Sequence, residues 1–228
     1  MAEVSDGMTC YTDWKFVAAG KEAKARGLLK YLEYRDDRIH HIPRAAGADR
    51  WVDCGLGGNW QEILENAQAL ESDKVLLRAL VIRPPQELVA ELEEVDPERW
   101  AHRRELLEEL VHRVMDAEME RAGIERLDGT KQPLDLPYSY VLHAPDDGNG
   151  VESSHAHVIV PAMDREGERA FNVYRHDVQQ TREVAERETE RLFELSRVRE
   201  REIEGDLWPG PEGLDLDREI EFHDFHGL

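Results

Sequence analysis

Two short apolar runs, each ending or beginning in histidine, constrain this chain more than any other feature. His155-Ala156-His157-Val158-Ile159-Val160 reads as a strand. Residues i and i+2 of a strand lie on one face, so His155 and His157 aim two imidazoles at one point. Tyr138 to Leu142 is a second apolar run, and it ends in His143. The joining segment, Ala144-Pro145-Asp146-Asp147-Gly148-Asn149-Gly150, is built of turn formers. The spacing predicts an antiparallel hairpin that gathers the three histidines. Two readings of that gathering stay open. The histidines are structural or exposed, or three neutral imidazoles and water form the open divalent-metal site that catalysis needs.

The rest of the chain mixes strands with helices. Trp14–Ala18 is a first strand, and Lys21–Arg35 a helix with Ala25, Leu28, Leu29 and Leu32 at helical spacing. Asp36–Asn59 reads as a loop, and Gly55-Leu56-Gly57-Gly58 within it as a turn. Trp60–Leu70 follows as a helix capped by Asn59. Val75–Ile82 is a strand that Pro84-Pro85 stops. Gln86–Val95 and Pro97–Ala122 are helices, the second with Asp96 as cap and Gly123 as its end. Asp128–Pro137 is a loop, Ala170–Tyr174 a short strand, and Asp177–Glu204 a long charged helix. Strands joined by hairpins and flanked by helices predict an α+β fold: a central antiparallel sheet with helices packed on it. The expected division is one domain over residues 1–204 and an acidic tail over 205–228.

Charge narrows the function. The net charge is −21, which repels nucleic acid at long range. Between Lys15 and Arg35, however, six basic residues (Lys15, Lys21, Lys24, Arg26, Lys30, Arg35) face two acidic ones, Glu22 and Glu33. That patch either contacts phosphates or balances neighbouring acidic helices. No apolar run is long enough for a transmembrane helix, and residues 1–6 lack the features of a signal peptide, so no membrane partner is expected. Two cysteines, Cys10 and Cys54, make no disulfide framework, and a reducing cytoplasm is the expected compartment. A Gly-x-Gly-x-x-Gly motif and a Walker loop are both missing.

Tyr31 and Tyr34 stand three apart on the basic helix and so neighbour each other on its surface. A phenolate near cations and a metal is a competent nucleophile; otherwise Tyr31 packs in the core and Tyr34 lies at the surface. Taken together, Leu29-Lys30-Tyr31-Leu32-Glu33-Tyr34-Arg35, an apolar strand ending in proline, Tyr138 with His143 five positions on, and His155-Ala156-His157 resemble the relaxase family. These are the nicking enzymes of plasmid mobilization and conjugation, within the His-hydrophobic-His endonucleases. The likeness is greatest to the mobilization class that includes the agrobacterial T-DNA nickase, and it covers roughly Trp14 to Leu195.

The resemblance implies a sheet with histidines on adjacent middle strands and the tyrosine helix across one face. It implies transesterification on single-stranded DNA at a nick site, with a 5′-phosphotyrosine intermediate and accessory mobilization proteins as partners. By matching position, Tyr31 is the nucleophile and Tyr34 the secondary candidate. His143, His155 and His157 hold Mg or Mn, and Asp146 or Asp147 orients a ligand. Lys24, Lys30, Arg35 and Arg175 are the candidate DNA contacts. The alternative is a non-catalytic relaxase-fold protein that binds single-stranded DNA or a protein partner, which the acidity favours. A histidine-triad hydrolase needs a third alternate histidine where Ile159 stands, and a small metal-binding barrel does not suit the long helices. His40-His41 with Arg38 and Arg44 read as a surface loop, and His223 and His226 as part of the tail. Trp51, Trp60 and Trp208 read as packing residues that base stacking would otherwise use.

Overall fold

The computed structural model describes residues 10–40, 50–85, 99–125, 129–143 and 155–203. Its centre is a five-stranded sheet built from β1 (Tyr11–Ala18), β2 (Trp51–Cys54), β3 (Val75–Arg83), β6 (Tyr138–His143) and β7 (His155–Pro161). The order across the sheet is β1-β3-β7-β6-β2, and every neighbouring pair is antiparallel. A separate two-stranded ribbon joins β4 (Ile124–Glu125) to β5 (Lys131–Gln132). The helices are α1 (Glu22–His40), α2 (Trp60–Ala69), α3 (Arg99–Arg121) and α4 (Arg175–Ile203). This is the expected α+β architecture. The chain divides into one compact unit over Met1–Glu190 and a second over Arg191–Leu228. No helix among the described residues is long and apolar enough to cross a membrane.

Each face of the sheet has its own helices. Val17, Leu77, Ala79, Ile159, Val141 and Trp51 point to one face and pack with Ala25, Leu29 and Leu32 of α1 and Ile63, Leu64 and Ala67 of α2. The inward positions of α1 recur at four and three residues, which keeps them on one stripe. Leu29 and Leu32 are at most 1% exposed, and burying each is worth about 1.5–3 kcal/mol. The opposite face carries α3 and the first turns of α4. Trp14 donates from Nε1 to Thr181 Oγ1 of α4 at 3.0 Å, and Thr181 in turn donates to Glu118 Oε1 of α3 at 2.7 Å.

Several local expectations are corrected. Residues 36–40, read as loop with Arg38 and His40 in it, continue α1, and Lys131–Gln132, also read as loop, is β5. Trp51–Cys54 lies inside the stretch read as a loop, yet it is an edge strand paired with β6. Four residues are too few to show an alternation pattern among flanking turn formers. Conversely, Ala170–Tyr174 is not a strand; only Ala170 makes a bridge, to Met163. Phe171 is fully buried against Trp14, and the chain then leaves the sheet to enter α4. There Asp177 Oδ2 accepts from the Tyr174 amide at 2.6 Å. A single inward aromatic had produced the appearance of strand alternation.

Gly55–Gly58 is indeed a turn. Asp53 Oδ1 accepts from the amides of Gly55 and Gly57, at 2.7 and 2.9 Å, and Asn59 caps α2 as expected. Gly57 has φ +141, and a Cβ there would lie 2.8 Å from the Ile63 nitrogen, so only glycine fits. The expected helix over Gln86–Val95, the hairpin loop with Asp146 and Asp147, His41, Arg44, Trp208, and the tail with His223 and His226 lie outside the described residues.

Candidate active site

Register brings the three histidines together. His143 pairs directly with His155, and Val141 pairs with His157. Paired residues on neighbouring strands share a face, and so do residues two apart on one strand. All three imidazoles therefore stand on one side of β6 and β7. Their ring centroids lie 5.3 Å apart for His143 and His155, 5.2 Å for His143 and His157, and 4.9 Å for His155 and His157. His143 and His155 are buried, and His157 is half-buried.

The same register identifies that face. His157 pairs with Val81 on one side and Val141 on the other, and Val141 pairs with Trp51. Val141 and Trp51 belong to the core beneath α1 and α2. The histidines thus share the face that the tyrosine helix covers.

The donor set suits a divalent ion. Three imidazoles bound to one ion at about 2.1 Å, with bond angles of roughly 90–110°, stand about 4.6–5.3 Å apart centre to centre. The observed spacings fall in that range. With the rings as they stand, no group of three or more His, Cys, Asp or Glu side chains among the described residues has its donor atoms arranged to hold an ion. Strand register brings the three side chains to one side, and χ1 sets the ring spacing. The facing of the nitrogens depends on rotation about χ2, which is a soft torsion.

Tyr31 is 46% exposed and Tyr34 38%, so neither ring is a core residue. Both lie outside the inward stripe of α1. The turn between them is held by Glu33, whose Oε2 accepts from Trp51 Nε1 at 3.0 Å and from the Trp60 amide at 2.8 Å. Its carbonyl accepts from Arg50 Nη1 at 2.5 Å. The Arg50 guanidinium also sits 4.9 Å from the Tyr34 ring centroid. Trp51 stands in the same cross-strand row as His157, two strands away, or roughly 10 Å at the usual strand spacing. Glu33 therefore ties the tyrosine-bearing turn to the row that carries a histidine. Sequence reading assigned Glu33 no role, because nothing local distinguishes this carboxylate from its neighbours.

The candidate DNA contacts divide. Lys24 and Lys30 are exposed on α1, and Lys30 Nζ sits 4.2 Å from the Trp60 ring centroid. Arg35 is within α1, with its side chain outside the described residues. Arg175 opens α4 and lines a cavity with Trp14 and Arg78. Trp14 and Arg78 point to the face away from the histidines, so Arg175 is not brought to them. Asp146 lies outside the described residues.

Tyr138 and Tyr140 point to that opposite face as well. His112 of α3 holds both, with Nδ1 2.7 Å from the Tyr138 hydroxyl and Nε2 3.4 Å from that of Tyr140. Burial, with Cys54 beside it, pushes the Tyr138 phenol far above its ordinary value. Tyr138 is thus a neutral structural phenol, not a second nucleophile.

No protein-family model matches the sequence, and no curated protein matches it. Among solved structures, the chain is similar to the TrwC relaxase complexed with a 27-mer DNA comprising its recognition hairpin and cleavage site. That match has 13% identity and a TM-score of 0.49, covering 81% of this chain and 69% of TrwC. The metal-bound structure of conjugative relaxase TrwC with OriT DNA matches at 14% identity and a TM-score of 0.49, over 81% and 69% of the two chains. A protein from work on vancomycin resistance transfer in Staphylococcus aureus matches at 15% identity and a TM-score of 0.42, over 82% of this chain and 94% of that one. At these identities, neither residue roles nor activity pass from those proteins to this chain.

Proposed function

We propose that this protein is a metal-dependent, strand-specific DNA nicking enzyme acting by tyrosine transesterification. The observation that carries the reading is three imidazoles on paired strands, 4.9–5.3 Å apart, on the sheet face that a helix with an exposed tyrosine packs against. The sequence resemblance to relaxases rests on these same histidines and Tyr31 and agrees with it.

His143, His155 and His157 would hold a divalent ion, Mg or Mn, through neutral ring nitrogens. Such an ion, when bound, supplies Lewis-acid polarisation of the scissile phosphate. Tyr31 supplies the nucleophile. Its Oη forms a bond to phosphorus as the bond from phosphorus to the 3′-oxygen breaks. The phenol proton ends on the released 3′-hydroxyl, and the 5′-phosphate stays on the tyrosine. Lys24 and Lys30, both N-terminal to Tyr31 on α1, attract the phosphate backbone, which an otherwise acidic surface does not. Asp146 fills the ligand-orienting role. The route fits plasmid mobilization or conjugative transfer in the cytoplasm, with accessory mobilization proteins as partners.

The test is covalent capture. A randomised pool of single-stranded oligonucleotides, incubated with Mg or Mn, should yield an adduct stable to denaturing electrophoresis. Tyr31→Phe should remove it, a loss of roughly a thousandfold or more, while Tyr34→Phe leaves it largely intact. If Tyr34→Phe alone removed the adduct, the nucleophile assignment would pass to Tyr34. If wild type formed none with either metal, the non-catalytic binding reading, which the −21 charge favours, would replace this one. Strand affinity should fall with salt at about −0.7 per contact, for roughly two to four contacts. Lys24→Glu with Lys30→Glu should nearly abolish binding; unchanged affinity would take DNA away from α1.

A further inference from the structure

On the other side of the sheet, at its β1 edge, lies a cavity of about 440 Å³, within the usual size of a small-ligand site. Its walls carry Lys74, Arg78 and Arg175 together with Phe16 and Tyr174, and no carboxylate lines it. Lys15 borders it through its backbone, its side chain turning to the other face to pair with Asp13 at 3.3 Å. Three cations around one cavity stand out in a chain of net charge −21.

Arg78 is the unusual member. It is 8% exposed, and its Nη1 has no hydrogen-bond partner among the described residues. Desolvation alone pulls the guanidinium down to about 10, so it remains charged at neutral pH. Its neighbours are the Phe171 ring, 5.5 Å away, and the cross-strand residues Phe16 and Val160. A buried charge without an opposite partner is costly, and an anion entering the cavity removes that cost. Lys74 and Arg175 are exposed and can close on such an anion.

The aromatic residues narrow the ligand further. Phe16 is 64% exposed and Tyr174 60% exposed. Tyr174 lies parallel to His176, with centroids 5.7 Å apart and planes 1° from coplanar in direction. Exposed ring faces beside a phosphate-ready arginine are what a nucleotide uses, phosphate on the guanidinium and base stacked on a ring.

We propose that this cavity is a nucleotide-binding site, separate from the histidines. Arg78 receives the phosphate, Lys74 and Arg175 close over it, and Phe16 or Tyr174 stacks on the base. The nucleotide is either free or one unit of a strand.

Calorimetric titration of the full chain in EDTA tests this without any contribution from metal at the histidines. The probes are thymidine 5′-monophosphate, thymidine, inorganic phosphate and a short unphosphorylated oligothymidylate. The monophosphate or the strand should bind at least about tenfold tighter than thymidine or phosphate. The tighter of the two identifies the source. Lys74→Glu with Arg175→Glu, both on the surface, should weaken binding by about tenfold or more with the circular dichroism unchanged. Arg78→Met should abolish binding yet raise the unliganded Tm, since it removes an uncompensated buried charge. His155→Ala with His157→Ala should leave the affinity for the monophosphate intact. Phosphate binding as tightly as the monophosphate would overturn the nucleotide assignment. Unchanged affinity in the surface double variant, or no binding of any phosphate-bearing probe at millimolar concentration, would overturn the site itself.

Discussion

Two polar clusters on opposite faces of the sheet are built differently. Where α3 meets α4 the buried polar groups satisfy one another. Glu118, 1% exposed, accepts from Thr181 and from Arg121, and Arg121 also pairs with Asp177 at 2.9 Å. Beneath α1, three imidazoles crowd the sheet at the end of an otherwise apolar core. The first arrangement locks two helices together. The second sets three side chains of one type side by side on paired strands.

The contrast is broken most directly with metal. Addition of Mn at about a thousandfold excess over its Kd should stabilise wild type by about 4 kcal/mol. The rise in Tm should be several degrees and should vanish in His155→Ala with His157→Ala. An equal rise in that variant would show that the histidines do not hold the ion. The next effect in size lies on the α3 and α4 side. Glu118→Ala removes one acceptor of the Thr181 hydroxyl, which keeps the Asp177 carbonyl, and one of two carboxylates from Arg121, at a cost of about 1–3 kcal/mol by chemical denaturation. It should leave the Mn response unchanged. A lost Mn response would mean that the two faces are not independent.

The smallest effect is acid sensitivity on that same side. Desolvation raises the Glu188 carboxyl, but hydrogen bonds from Arg113 and Arg187 outweigh it and hold the carboxyl below its ordinary value. A depressed folded value contributes stability above the unfolded carboxylate value of about 4.3, and loses it as pH falls through the lower folded one. Denaturation of Glu188→Gln across that window should show a shallower acid loss than wild type. An identical slope would remove Glu188 from the acid response.

Much of this was legible in the chain. The hairpin was readable because alternation and turn formers are local signals, and α1 because Ala25, Leu29 and Leu32 recur at helical spacing. β2 was hidden, since four residues cannot establish a period, and Ala170–Tyr174 misled because one buried Phe171 mimicked alternation. The partnerships of Glu33 with Trp51 and Trp60, and of His112 with two tyrosines, join residues far apart in the chain. No local pattern encodes them.

By itself, the sequence determined which residues could share a strand face and which helix surface turned inward, because side-chain direction follows backbone period. Only the tertiary structure decided which face of the sheet each helix covers. It put the histidines on the sheet face that α1 packs against and sent Arg175 to the other side, beside a buried Arg78 that reads in the chain as one more charge. Burial and pairing depend on what arrives from elsewhere in the chain, and the period of a strand carries no information about that.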